Sequence, residues 1–235
     1  MVEKIVLTHD HYTFFIKNLP IKLAWFVYIN ALQKNGGQKA HDWLFDWWQT
    51  NDVFEIFNHK KVCLNRARGA SKTRDMSALA VFFVLRGMEV VWMAANRKQL
   101  NRAMKYWNEN FFVIKRKISV QRSNIEIRAG GVIEITVIKP GLNNERGMRA
   151  HAMFYDEISQ MDKDLIEDTR PMSSGMDFDG ADIYWIHFST PEINSPFHDM
   201  VTKYPTLTRE CNYPSWFTLE YIKSVKDDLS ANKFK

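Results

Sequence analysis

The hydrophobic residues of the chain fall into two kinds of pattern. Short continuous apolar runs, which are typical of buried strands, occupy 62–64, 89–94, 152–155 and 183–189. Apolar residues at intervals of three or four positions, which predict helices, occupy 72–86, 96–116 and 162–168. Because strands alternate with helices, the sequence favours an α/β fold with a mostly parallel central sheet flanked by helices.

Two further segments add to this alternation. Residues 124–128 and 132–138 alternate apolar and polar positions on either side of Ala129-Gly130-Gly131, which predicts a β-hairpin. Aromatic residues near helical spacing mark the N-terminal region, namely Trp43, Phe45, Trp47, Trp48, Phe54 and Phe57. We interpret this region as a helical cap, with most rings in the core and one ring near Gln49 able to stack on adenine or to guide its edge.

These patterns divide the chain into three predicted parts. The helical cap covers 1–58, the main core covers 59–205, and a C-terminal extension covers 206–235. No strong linker precedes Pro205. Within the extension, residues 219–229 have helical spacing, which predicts a linker helix.

Composition is compatible with an intracellular protein of one large α/β domain, or of one domain with a helical extension. A chain of 235 residues with 46% hydrophobic residues can bury a substantial core. No apolar run reaches membrane-spanning length, and the N-terminus lacks the apolar stretch of a signal peptide. Cys63 and Cys211 lie far apart, which predicts neither a disulfide framework nor a zinc site. A net charge of +5 permits a polyanionic partner without requiring one.

The segment NRARGASKT (65–73) has the position of a Walker A phosphate loop, between an apolar strand and a helix. Lys72 fits the consensus lysine for the β- and γ-phosphates, and Thr73 fits the hydroxyl for magnesium. Arg66 and Ser71 replace the two consensus glycines, so Gly69 is left to relieve the backbone. We predict that ATP is bound by Arg66, Ala67, Arg68, Gly69, Ala70, Ser71, Lys72 and Thr73. An ordinary basic connection between strand and helix is the alternative interpretation.

A second motif, MFYDEIS (153–159), ends an apolar strand in two carboxylates. A buried parallel strand would deliver both carboxylates to the edge of the sheet where the phosphate loop lies. We predict that Asp156 and Thr73 hold Mg²⁺, and that Glu157 accepts a proton from the attacking water. The alternative is that both acidic residues only cap the following helix. Together the two motifs predict an ATPase.

These segments resemble motifs of the large terminase subunits of tailed viruses. RARGASKT is similar to the RGSGKS and RGSAKS loops of that family, with Arg68 at the position of the family's loop arginine. The segment ERGMRAHAMFYDEIS resembles the family's Walker B strand, which an arginine-glycine pair precedes. In HFSTPE, the tripeptide Ser189, Thr190 and Pro191 fits the motif that couples hydrolysis to movement. The alternative is that the two hydroxyl groups only satisfy backbone groups where the strand ends.

The resemblance implies a P-loop NTPase of the additional-strand, catalytic-glutamate type. It also implies an ATP-hydrolysing motor that translocates double-stranded DNA into a procapsid. Arg68 would contact the γ-phosphate region, and Arg146 would be the arginine finger offered to a neighbouring subunit. Arg149 is the alternative finger, and solvent-facing loop arginines are the alternative to both.

The same resemblance implies the partners and the location of the protein. The expected partners are double-stranded DNA bound without sequence specificity, a portal protein, a small terminase subunit and further copies in a ring. The expected location is the host cytoplasm, without a membrane. Separately from the resemblance, Lys98, Arg102 and Lys105 fall on one face of a predicted helix. This basic face would contact DNA phosphates or simply be solvated.

Two other functions remain open at the level of sequence. A helicase-like nucleic-acid remodelling ATPase would share Lys72, Thr73, Asp156 and Glu157. A non-enzymatic assembly or DNA-binding protein would keep the fold with a decayed, glycine-poor loop. Large terminases usually continue into a nuclease domain, and we expect none within these residues.

Overall fold

A computed structural model describes residues 7–35, 45–66, 69–118, 123–127, 132–137, 150–169, 183–190 and 195–209. The helices within these ranges are α1 (His9–Asn18), α2 (Ile21–Asn35), α3 (Trp47–His59), α4 (Lys72–Leu85), α5 (Arg97–Glu109), α6 (Lys163–Asp168) and α7 (Pro196–Lys203). The strands are β1 (Lys61–Arg66), β2 (Val90–Ala94), β3 (Val113–Ile118), β4 (Ser123–Ile127), β5 (Val132–Val137), β6 (Ala152–Asp156), β7 (Tyr184–Ser189) and β8 (Thr206–Arg209).

The described strands form one sheet in the order β3-β4-β5-β2-β6-β7-β1-β8. Neighbouring strands run parallel from β5 to β8, whereas β4 runs antiparallel to both β3 and β5. The predicted mostly parallel sheet and the predicted hairpin pairing of β4 with β5 are therefore confirmed. Their connection at 128–131 lies outside the described residues. One additional strand, β7, separates β1 from the acidic strand β6.

The continuous apolar runs are explained by packing on both faces of the sheet. Along β2, Val90 and Trp92 belong to one hydrophobic cluster, whereas Val91 and Met93 belong to a second cluster. Successive side chains of a strand point to opposite faces, so a strand covered on both sides needs apolar residues throughout. The first cluster includes the buried face of α4, which places this helix directly against the sheet.

One predicted helix ends earlier than its pattern suggested. The helix expected over 96–116 stops at Glu109, and β3 begins at Val113. Asn110 ends the helix because its side chain accepts from the Phe112 amide at 3.1 Å and donates to the Tyr28 hydroxyl at 2.7 Å. The following residues are aromatic and β-branched, which suits an extended strand. The helical prediction was therefore wrong for 110–116.

The N-terminal helices share the core of the sheet. Residues of α1, α2 and α3 belong to the same hydrophobic cluster as α4, and the Trp25 ring meets Phe82 edge-on at 5.3 Å. Arg86 adds a polar link, because its Nη1 donates to the carbonyls of Ile16 at 2.8 Å and Leu19 at 2.9 Å. The helical character predicted for this region is seen wherever it is described. Its status as a separate cap stays a prediction.

The sheet extends past the predicted core boundary at 205. Strand β8 begins at Thr206 and pairs in parallel with β1, and the Cys63 amide donates to the Pro205 carbonyl at 2.9 Å. The proline therefore leads into a sheet strand rather than out of the core. The predicted linker helix at 219–229 lies outside the described residues. Among the residues described, no helix is long and apolar enough to span a membrane.

Candidate nucleotide site

The residues of the two motifs converge where three neighbouring strands end. Strand β1 ends at Arg66, β6 at Asp156 and β7 at Ser189, and these strands run parallel and side by side. Helix α4 begins at Lys72, within the predicted phosphate loop. The carboxyl edge of a parallel sheet therefore carries Lys72, Thr73, Asp156, Glu157 and Ser189, as the sequence predicted.

The phosphate loop bends through two left-handed residues. Gly69 has φ of 84°, which glycine adopts without cost, and Ser71 has φ of 56° and ψ of 22°. A left-handed conformation costs a residue with a side chain about 1–2 kcal/mol. Ser71 is also the residue that precedes the first turn of α4, where backbone N–H groups favour anions. The described part of the loop therefore reaches the start of α4 through a strained, left-handed Ser71.

The Lys72 side chain contacts three segments of the site. Its ammonium group donates to the Arg66 carbonyl at 3.0 Å and to the Thr190 hydroxyl at 3.1 Å. It also lies 4.0 Å from Oε1 of Glu157. The lysine is 6% exposed, so its positive charge acts in a poorly solvated environment. One cation therefore links the ends of β1 and β7 with the acidic residue after β6.

Asp156 is buried beside the first turn of α4. Its Oδ1 accepts from the Thr73 hydroxyl at 3.4 Å, and its Oδ2 has no hydrogen-bond partner among the described residues. Burial, followed by the neighbouring Glu157 charge, raises the pKa of Asp156 well above its ordinary value. Lys72 and Thr73 partly oppose this shift. A buried, unsatisfied carboxylate oxygen of this kind needs a structural or functional explanation.

Glu157 is held by the segment that follows β7. Its Oε2 accepts from the Ser189 hydroxyl at 3.1 Å and from the Thr190 amide at 3.2 Å. The Ser189 hydroxyl is itself paired with the Ser159 hydroxyl at 2.6 Å. Glu157 has φ of 54°, so the carboxylate occupies this position through a strained backbone. Oε1 is the oxygen that remains directed toward Lys72.

No protein-family model matches the chain, and no curated protein matches its sequence. Solved structures match it throughout most of its length. The large terminase of a thermophilic bacteriophage in complex with ADP aligns with a TM-score of 0.52, 15% identity, and coverage of 79% of this chain. The HK97 bacteriophage large terminase aligns with a TM-score of 0.53, 18% identity, and coverage of 77% of this chain. The large terminase ATPase domain of Thermus phage P74-26, in a mutant form, gives a TM-score of 0.50, 14% identity and coverage of 66%.

The chain has the fold of a large-terminase ATPase domain. This confirms the predicted α/β fold with a mostly parallel sheet, and it confirms the predicted resemblance to large terminases at the level of fold. The chain spans 50% of the terminase with bound ADP, 42% of the HK97 protein and 69% of the P74-26 domain. Identities this low carry the fold and leave the activity to be argued from the site.

Several predicted site residues lie outside the described residues. They are Ala67, Arg68, Arg146, Arg149 and Pro191. Their assigned roles in phosphate binding, as arginine finger and in coupling stay predictions. The described part of the phosphate loop consists of Arg66 and residues 69–73.

One predicted site residue does something other than the sequence predicted. The Arg66 side chain is fully buried and bonded to Asp52 and Asp75, so only its backbone can take part in a phosphate site. Gln49 is also fully buried, and its amide nitrogen donates to Asp75 Oδ2 at 2.8 Å. Of the neighbouring rings, Trp48 is buried over Arg66, whereas Trp47 is 78% exposed. The adenine contact near Gln49 stays a prediction. Of Trp47, Trp48 and Gln49, only Trp47 is exposed enough to contact a ligand.

Sequence reasoning missed Asp52, Asp75 and Ser159. Asp75 falls in the first turn of α4, where an acidic residue is unremarkable beside the helix dipole. Asp52 falls within the apolar pattern of α3, and this polar residue at a buried position was the one available signal. Ser159 contacts Ser189 across the sheet edge, and no local pattern indicates such a pair.

Proposed function

We propose that this chain is the ATP-hydrolysing motor domain of a viral terminase that translocates double-stranded DNA into a procapsid. The observation that carries the proposal is the meeting of Lys72, Thr73, Asp156 and Glu157 at one sheet edge, beside the start of α4. The likeness of fold to large terminases, one of them in complex with ADP, supports it. The expected location is the host cytoplasm.

The donor set beside Asp156 suits a magnesium ion. A carboxylate oxygen without a partner lies next to the Thr73 hydroxyl, and Mg²⁺ prefers such oxygen ligands. Among the described residues, no group of three or more His, Cys, Asp or Glu side chains is arranged to hold a metal ion. When bound with ATP, Mg²⁺ would supply charge neutralisation at the β- and γ-phosphates.

Lys72 and Glu157 would perform the remaining steps of phosphate binding and hydrolysis. The ammonium group of Lys72 binds the β- and γ-phosphates, which draws it away from the Thr190 hydroxyl and from Glu157. Oε1 of Glu157 then accepts the proton of the attacking water, while Oε2 stays bonded to Ser189 and to the Thr190 amide. The two oxygens of one carboxylate thus have separate tasks.

The Ser189 and Thr190 contacts offer a route from hydrolysis to movement. Thr190 donates its amide to Glu157 and accepts from Lys72, so both groups that face the nucleotide touch one residue. A change in either contact on phosphate binding or release would move the end of β7. The coupling role of Ser189, Thr190 and Pro191 is part of the proposal.

The proposed partners follow from the same function. A packaging motor acts as a ring of subunits on a portal protein, with a small terminase subunit and double-stranded DNA. DNA contacts would involve phosphates, since a motor slides over any sequence, and the basic face of Lys98, Arg102 and Lys105 is one candidate surface. Arg146 would complete the site of a neighbouring subunit.

The test is magnesium-dependent ATP hydrolysis measured over a range of protein concentrations, with and without duplex DNA. A ring motor predicts turnover per chain that rises with concentration and collapses in Arg146→Ala, with Arg149→Ala as the matched comparison. Turnover per chain that is constant with concentration and equal in the three proteins would contradict the ring. Strand separation on a forked duplex would favour a helicase-like remodelling ATPase instead.

A further inference from the structure

A cluster of charged side chains is buried between α3, the end of β1 and the first turn of α4. We call it the Arg66 cluster, and its members are Arg66, Asp52, Asp75, Arg74 and Gln49. Nη1 of Arg66 lies 2.6 Å from Oδ2 of Asp75, and Nη2 lies 2.8 Å from Oδ2 of Asp52. All three of these side chains are fully buried.

The remaining contacts complete the pairing inside the cluster. Oδ1 of Asp75 accepts from Nη2 of Arg74 at 2.8 Å, and Oδ2 accepts from Gln49 at 2.8 Å. The carbonyl oxygen of the Gln49 side chain accepts from the Asp46 amide at 2.8 Å, which fixes the orientation of the side chain. Two arginines therefore face two aspartates in a site closed to solvent.

Stability alone is a weak reason for such a cluster. Desolvation of buried ion pairs largely cancels their attraction, so apolar residues of similar volume often do as well. The cluster does, however, fix geometry, because each acceptor oxygen of Asp75 has a defined partner. The Trp48 ring also covers the Arg66 guanidinium at 5.0 Å. A precise arrangement of this kind points to positioning.

The part of the molecule that the cluster positions is the phosphate loop. Arg66 is the last residue of β1 and Asp75 lies in the first turn of α4, so their bond ties together the two ends of the loop. The Arg66 carbonyl also accepts from Lys72 at 3.0 Å. One residue thereby holds Asp75 through its side chain and the phosphate-binding lysine through its backbone.

The loop needs this support because it lacks both consensus glycines. Ser71 is held at φ of 56°, a conformation that persists only where the surroundings enforce it. Without such enforcement the loop would relax, and Lys72 and Thr73 would lose their orientation toward Asp156 and Glu157.

We propose that the Arg66–Asp75 pair, braced by Asp52 and Gln49 of α3, is a positioning device that holds the glycine-poor loop in its phosphate-binding shape before nucleotide arrives. The device acts through Lys72 and Thr73 and touches no substrate. The ordering of the loop by this pair does not depend on the proposed function. The expected effect on ATP affinity does rest on the proposed function. Helix α3 then contributes to the nucleotide site indirectly, because Asp52 and Gln49 hold Arg66 and Asp75 in place.

The experiment compares the parent chain with Asp75→Asn, which keeps the side-chain shape and removes the charge. Asp199→Asn is the matched control, since Asp199 forms an exposed pair with Lys163. The first readout is amide hydrogen exchange of residues 69–76 in the nucleotide-free protein. Loss of a charge-assisted bond predicts exchange about tenfold faster or more in this segment, with the amides of β6 unchanged. Equal exchange in parent and variant would overturn the positioning role.

The second readout is the Kd for a fluorescent ADP analogue with magnesium. We expect Asp75→Asn to raise this Kd about tenfold or more. Adding Ser71→Gly should recover a large part of the loss in the variant and change the parent little, because glycine adopts the left-handed conformation freely. The positioning role would be contradicted by an unchanged Kd in Asp75→Asn. It would also be contradicted by a loss of affinity that Ser71→Gly does not recover.

A substitute variant and a second interpretation rule distinguish failure of the positioning role from failure of the proposed function. Where Asp75→Asn fails to fold by circular dichroism, Arg66→Lys takes its place, because it keeps the charge and loses the forked contacts to Asp52 and Asp75. A parent chain that binds no nucleotide contradicts the proposed function only. The exchange measurement on the nucleotide-free protein then still decides whether the Arg66 cluster orders the loop.

Discussion

Asn in place of Asp156 should stabilise the nucleotide-free protein while removing its activity. Asp156 is 1% exposed and its Oδ2 has no partner among the described residues, so an ionised carboxylate there is poorly compensated. The side chain of asparagine has the same shape and carries no charge. Residues selected for a bound ligand commonly cost the free protein stability in this way.

The expected gain can be estimated from the burial of the carboxylate. Asparagine keeps a polar group at this buried position, so the gain is only the excess cost of the charged group over the neutral one. A buried unsatisfied polar group costs about 1–3 kcal/mol and a charged one costs more; because the charge of Lys72 partly compensates Asp156, we take the excess as about 1–1.5 kcal/mol. For a chain of this size, about 1 kcal/mol shifts Tm by about 2–4 °C. We therefore expect Asp156→Asn to raise Tm by about 2–6 °C at neutral pH.

The difference should also depend on pH with a defined sign. Because the folded-state pKa of Asp156 is raised, its protonated form contributes stability that is complete below the ordinary aspartate pKa. That contribution is lost as the pH rises through the raised pKa. The gain of Asp156→Asn over the parent should therefore grow from mildly acidic to neutral pH, measured by thermal unfolding followed by circular dichroism.

Two controls show whether the effect belongs to this site. Asp199→Asn changes an exposed, paired carboxylate and should alter Tm little and in the opposite direction. ADP with magnesium should raise the Tm of the parent and leave that of Asp156→Asn nearly unchanged. A lower Tm in Asp156→Asn at neutral pH would refute the reasoning, because it would mean that the carboxylate is well compensated in the folded protein.

Three further predictions concern other parts of the molecule. Ser189→Ala removes a hydrogen bond to Glu157 and should lower kcat of ATP hydrolysis about tenfold or more with little change in KM, and a change confined to KM would contradict this. Burial raises the pKa of the Cys63 thiol to about 12, so in a chain whose other cysteine is replaced by serine, a thiol reagent at pH about 8 should label it only after denaturation. Arg86→Met removes two hydrogen bonds to backbone carbonyls near α1 and should lower the free energy of unfolding in urea by about 1–3 kcal/mol, with the Kd for nucleotide unchanged.

Local sequence patterns were sufficient to predict the strands and the helix whose ends form the candidate site. Strand β1, the start of α4 at Lys72 and the acidic strand ending at Asp156 each follow from a short run of residues and its neighbours. Such runs are buried on both faces of the sheet, so their hydrophobic pattern is unambiguous. The position of the site at the carboxyl edge then follows from parallel strands.

Contacts between distant segments were beyond the reach of the sequence. The sequence suggested that Arg66 is a loop residue that binds phosphate, yet its guanidinium donates to Asp52 of helix α3. The end of α5 at Glu109 depends on the bond between Asn110 and Tyr28, which lie 82 residues apart. In both cases the structure depends on a residue from a distant segment, and local spacing in the sequence does not identify that residue.

The most direct test of the account compares nucleotide binding and hydrolysis in the parent and in Glu157→Gln. Glu89→Gln, which changes an exposed carboxylate, is the control. The account predicts that Glu157→Gln binds ATP with magnesium as the parent does and hydrolyses it about 10² to 10⁴ times more slowly. A parent chain that neither binds nor hydrolyses ATP, alone or with DNA, would contradict the central claim, as would equal turnover in the parent and in Glu157→Gln.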